Sequence, residues 1–171
     1  RLILVDIRGH GLSSKPECCY ARIDFAYDIR LLLDEFKIER ADVVGHSLGS
    51  FIAQTLAEYW PERIGKVVLI SSTAGPRPGQ KKKQFGAVLA KDEFRAKLYA
   101  LSDPIDPESE FMRWWWSSPT PVDEDFMRRQ RLDAARIPIK VWRAVYDQMP
   151  RDLAVTLPWL KAPTLLIWGG K

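Results

Sequence analysis

The stretch VVGHSLGS, residues 43 to 50, decides how this chain reads. An apolar run leads into a serine set between Gly45 and Gly49, and a helix-forming segment follows. A G-x-S-x-G pattern arises by chance in about one chain in twenty of this length, so alone it is moderately specific. Its setting sharpens it. A strand before the serine and a helix after it force a tight turn. A side chain at Gly45 or Gly49 is expected to crowd that turn or the neighbouring strand. The start of the helix presents free N–H groups and the positive end of its dipole beside the serine oxygen. Ser47 therefore reads as a nucleophile, and the N–H of Leu48 as a donor to an oxyanion formed in acyl transfer. His46 sits in the elbow between Gly45 and Ser47, and its side chain is expected to point away from Ser47.

Outward from this turn the pattern is regular. Residues 2 to 6, LILVD, form a short continuous apolar run, which predicts a strand buried on both faces. Residues 7 to 22 are a loop rich in Gly, Ser and Pro. Asp24 is expected to cap a helix running to about Lys37, with Phe25, Ile29, Leu32, Leu33 and Phe36 on one face. Residues 42 to 46 predict a strand, and Ser47 to Tyr59 a helix that Pro61 terminates. KVVLIS at 66 to 71 and TLLIW at 164 to 168 predict two further strands. Strands alternating with helices in this way imply an α/β fold: a parallel sheet with crossover helices.

The span from 74 to 160 is too long for a simple connection. Helices are predicted at 85 to 101, 107 to 116, 121 to 135 and 138 to 149, the last opened by Pro138. The expected division is a partial core, residues 1 to 73 and 161 to 171, and a helical cap plus crossover helix, residues 74 to 160.

Composition narrows the function classes. The chain has 171 residues, 46% hydrophobic and 28% charged, enough for one domain with a real core. No apolar run approaches the roughly 18 residues that span a bilayer. The net charge of +4 comes from scattered basic residues, and the one run, Lys81-Lys82-Lys83, reads as a solvated loop. No nucleic-acid partner is expected. The two cysteines, Cys18 and Cys19, are adjacent and fit ordinary disulfide geometry poorly, so reduced, inert thiols are expected. Two Cys and two His without ligand spacing imply no metal site. RLILVDIRGHG does not read as a signal peptide, because an Asp breaks the apolar run. It reads as a strand entered in mid-protein, which implies truncation at the start. A cytoplasmic location is the default expectation.

These motifs carry a resemblance. VVGHSLGS resembles the nucleophile elbow of the α/β-hydrolase superfamily. VDIRGHGLSS, Val5 to Ser14, resembles the D-x-R-G-x-G-x-S loop of its esterase, haloperoxidase and epoxide-hydrolase-like branches. APTLLIWGGK is similar to the strand leading to the catalytic acid, written W-G-x-x-D. The resemblance implies a Ser, acid, His order. It would put the acid one residue after Lys171 and the base later still. The other acid position, after the third strand, reads SSTAG and holds no carboxylate. The loop supplying the second oxyanion N–H would precede Arg1. By this resemblance the chain is the middle of a hydrolase, without triad acid or base.

Other residues carry weaker signals. His10 lies in the loop after the first predicted strand and is a candidate pocket residue; the simpler reading is that it orders its loop by hydrogen bonding. Asp6 and Arg8 are expected to fix the same loop through a salt bridge or backbone contacts. Trp114, Trp115 and Trp116 stand together. Trp114 and Trp115 are candidates for an apolar pocket, although packing of the cap helices is favoured. Three consecutive residues cannot all face one way on a helix.

The expected function is a serine hydrolase that attacks an ester, amide or related carbonyl bond of a small molecule through an acyl-enzyme on Ser47, with no cofactor. The alternatives are a non-catalytic ligand-binding protein of the same fold and an inactive fragment.

Overall fold

The computed structural model describes residues 1–72, 92–118, 120–148 and 160–168. Lys81-Lys82-Lys83, the start of the helix predicted at 85, the crossover segment before 160 and the closing Gly169 to Lys171 lie outside them. The described residues fall into two compact units. One comprises the described parts of Arg1–Tyr20 and Val88–Asp147; the other comprises those of Ala21–Ala87 and Gln148–Lys171.

The second unit holds the sheet. Its strands are β1 (Ala41–His46), β2 (Ile64–Ile70) and β3 (Thr164–Ile167). They lie in the order β1-β2-β3 and both pairings are parallel. Gly45 pairs with Leu69 and His46 with Ile70, while Leu69 pairs with Leu166 on the other side. β2 is thus central, and it buries Ile64, Val67 and Leu69. Helix α1 (Arg22–Glu35) and helix α2 (Leu48–Tyr59) belong to the same unit. From Ser50 to Ala57 every residue of α2 is buried, as in a helix with apolar cover all round. Its two buried polar side chains after Ser50 are satisfied. Gln54 donates to Ser72 Oγ at 3.0 Å and Thr55 to the Phe51 carbonyl at 2.8 Å. A 3₁₀ turn, Pro61–Arg63, follows α2, because Trp60 before the proline leaves helical space at φ −132°.

Helix α1 begins three residues earlier than expected, with Ala21 in place of Asp24 at the cap position. Asp24 is its third residue, not its cap, and accepts from the Ala21 N–H at 2.8 Å. Phe25 and Leu33 are buried as predicted, Ile29 and Leu32 are half-buried, and Phe36 is exposed. The helix closes with Lys37 at φ 54°. The Ile38 N–H returns to the Leu33 carbonyl at 2.8 Å, and the Lys37 N–H to Asp34 at 3.0 Å, the paired bonds of a Schellman closure. Arg63 then donates to the Asp34 carboxylate and to the Ile38 and Glu39 carbonyls, at 2.6, 2.9 and 2.8 Å.

The first unit contains α3 (Asp92–Ala100), α4 (Glu110–Trp115), α5 (Glu124–Ala135) and α6, which starts at Ile139. Side-chain caps set two of the starts. Ser109 accepts from the Met112 N–H and Asp123 from the Phe126 N–H, so α4 and α5 begin about three residues later than the apolar pattern implied. Phe94, Leu98, Ile105, Phe111, Met112, Ala134 and Ile139 form the core. Buried Arg131 is held by Glu108 and Glu124.

Two expectations fail in this unit. LILVD is not a strand, and Leu2 and Leu4 are 80% and 86% exposed. A strand exists only where a neighbour takes its N–H and C=O groups, and none of the described strands pairs with this run. Cys18 and Cys19 are not free thiols but are bonded to one another. The bond joins residues whose Cα atoms are 3.8 Å apart, closer than ordinary disulfides, and Cys19 takes φ 73°.

Candidate active site

Residues 45 to 49 form one turn between the end of β1 and the start of α2. Ser47 takes φ 49° and ψ −116°, a conformation that costs a non-glycine residue about 1–3 kcal/mol. An ordinary helix-capping serine is extended and turns its hydroxyl onto the helix N–H groups. Ser47 does neither: its side chain makes no capping bond. Ser47 is exposed at the turn.

The surroundings hold this backbone. The Ser47 N–H donates to the Ile70 carbonyl at 3.1 Å, which ties the turn to β2. The Ser47 carbonyl accepts twice from Ser50, from its N–H at 2.9 Å and its hydroxyl at 2.6 Å. Gly45 lets strand and helix approach: a Cβ there would stand 2.2 Å from the Gly49 carbonyl oxygen. Gly49 does not play the same part. A Cβ at Gly49 meets no described atom within 4 Å, which corrects the expectation of crowding there. Leu48 opens α2, so its N–H has no acceptor within the helix. His46 is exposed and ends β1.

The structure thus brings Gly45, His46, Ser47, Leu48 and Gly49 together. His10, Trp114 and Trp115 belong to the first unit. His10 Nδ1 lies 3.0 Å from the Arg8 carbonyl, so this imidazole orders its own loop. Asp6 accepts from the Leu12 N–H at 2.9 Å, and its backbone carbonyl from the Ser13 hydroxyl at 2.6 Å. Arg8 donates to the Cys19 carbonyl at 2.8 Å. Asp6 and Arg8 therefore fix the loop through backbone contacts. Gly9, at φ 83°, lets this loop approach α6, since a Cβ there would meet Val141 at 2.5 Å. Burial raises the Tyr20 phenol pKa beneath the same loop, against the lowering effect of Lys140 and Arg8. Trp115 and Trp116 pack on the core of the first unit, and Trp114 keeps 40% of its surface exposed.

What sequence reasoning missed is Ser50. A serine three residues into a helix reads as filler, and its only signal was its place directly after Gly49.

The family profile of the alpha/beta hydrolase fold matches residues 1–171. The chain belongs to that family. It is 32% identical over 180 residues to a 2-hydroxy-6-oxononadienedioate/2-hydroxy-6-oxononatrienedioate hydrolase of Paraburkholderia phymatum, covering 99% of this chain and 59% of the relative. It is 45% identical over 71 residues to a 2-(acetamidomethylene)succinate hydrolase of Mesorhizobium japonicum, covering 42% of this chain and 26% of that protein. Among solved structures, a hydrolase from Pseudomonas aeruginosa matches with a TM-score of 0.62 at 27% identity, over 95% of this chain and 59% of its own. This α/β-hydrolase chain therefore spans about three fifths of the length of the Paraburkholderia and Pseudomonas proteins. Among its described residues, no helix is long and apolar enough to cross a membrane, and no group of three or more His, Cys, Asp or Glu side chains could hold a metal ion.

Proposed function

We propose that the protein is a serine hydrolase that cleaves an ester, amide or related carbonyl bond of a small molecule through an acyl-enzyme on Ser47. The observation that carries this reading is the conformation of Ser47: φ 49° and ψ −116°, with a hydroxyl that caps nothing. In the proposed reaction Ser47 Oγ attacks the carbonyl carbon and its proton passes to a histidine base. The Leu48 N–H, at the positive end of α2, donates to the oxyanion. The tetrahedral intermediate collapses, the leaving group takes the proton, and water then releases the acid from Ser47. Among the described residues no side chain is hydrogen-bonded to Ser47 Oγ, so a base and its carboxylate partner are requirements of the reading. The relatives named as hydrolases of an oxononadienedioate and of a succinate derivative support a small carbonyl compound as substrate.

The test is Ser47→Ala in the intact protein, assayed on a p-nitrophenyl ester. Turnover is expected to fall by at least about a thousandfold with the fold retained. Unchanged turnover would remove Ser47 from the chemistry.

A further inference from the structure

Ser50 is fully buried, and its hydroxyl donates to the Ser47 carbonyl at 2.6 Å beside its own N–H at 2.9 Å. That carbonyl belongs to the peptide joining Ser47 to Leu48. A peptide is a rigid plane whose C=O and N–H point in opposite directions. Holding the oxygen therefore aims the Leu48 N–H. A hydrogen bond accepted at the C=O also polarises the same peptide and makes its N–H a stronger donor. Helix geometry does not supply this pair of bonds: the backbone N–H of Ser50 takes one approach to the oxygen, and the hydroxyl adds a second that alanine lacks.

We infer that Ser50 is a positioning residue for the oxyanion donor, acting through the Ser47–Leu48 peptide and touching no substrate. The inference rests on the reading of Ser47 as nucleophile. It gives the residue at 50 a part in transition-state stabilisation. Binding of the neutral substrate, which carries no developed charge on its carbonyl oxygen, does not draw on that part.

The experiment compares wild type, Ser50→Ala and Ser50→Cys in the intact protein. It measures kcat and KM on a p-nitrophenyl ester, the affinity of a trifluoromethyl ketone, and the rate of labelling of Ser47 by a fluorophosphonate. Removal of a direct oxyanion donor costs 10²- to 10³-fold, so loosening one is expected to cost roughly 3- to 30-fold in kcat. KM should hold, and trifluoromethyl ketone affinity should fall in step with kcat. Ser50→Cys, which keeps a weak donor of similar size, should recover part of the loss. If Ser50→Ala lowers only the melting temperature and leaves kcat, ketone affinity and labelling rate at wild-type values, the inference is overturned while the Ser47 reading stands. Should Ser50→Ala fail to fold, Ser50→Gly, which also removes the hydroxyl, overturns it if kcat and ketone affinity stay at wild-type values. If wild type is catalytically active but Ser47 takes no label, the nucleophile assignment falls first, and this inference with it.

Discussion

Gly45 and Gly49 look equivalent as letters in G-x-S-x-G, and the structure separates them. At Gly45 a methyl group would stand 2.2 Å from a backbone oxygen, and backbone cannot swing aside as a side-chain tip can. At Gly49 it meets open space. Gly45→Ala is therefore expected to destabilise by more than about 2 kcal/mol. Gly49→Ala, inside a helix, is expected to be neutral or stabilising by up to about 1 kcal/mol. Denaturant midpoints of the two variants, at unchanged slope, check this directly. Equal losses at both positions would mean that α2 and β1 approach differently. The turn at Ser47 was legible in the sequence because an apolar strand and a helix-forming segment flank it. The asymmetry of the glycines was not, since it depends on which backbone atom faces each Cα.

Among the elements, those with a continuous apolar signal and a hydrogen-bonding partner were legible: β1, β2, β3 and α2 lie within about two residues of expectation. The run LILVD had the same signal and no partner among the described strands, so composition alone misled. Helix boundaries shifted where side chains meet the first N–H groups: Asp24 accepts from Ala21 from inside α1, and Ser109 and Asp123 cap α4 and α5. The C-terminus of α1 shows a cost that sequence does not reveal. Lys37 occupies the left-handed position of a Schellman closure, at φ 54°, where glycine carries no Cβ penalty. Lys37→Gly is expected to stabilise the protein by about 0.5–1 kcal/mol. Thermal and denaturant unfolding would show it, and destabilisation would argue that the lysine side chain contributes more than its backbone costs.

On the scale of the whole molecule, two units divide the labour of structure. One builds a parallel sheet around the elbow; the other packs helices around an aromatic core and sets the N-terminal loop against α6. The α/β class was legible because strands and helices alternate with buried-strand composition. The pairing of Cys18 with Cys19 was not legible, because ordinary disulfide geometry argues against neighbours. Family membership matches the whole chain, while the proposed chemistry turns on a single side chain. The most direct measurement is therefore covalent. The intact protein is mixed with a slow-deacylating ester, quenched in acid within the first turnover and mapped by peptide mass spectrometry. The account predicts one acyl group on the peptide containing Ser47, absent from Ser47→Ala. Ester turnover with no acyl group on that peptide, or with the acyl group on another residue, would contradict it.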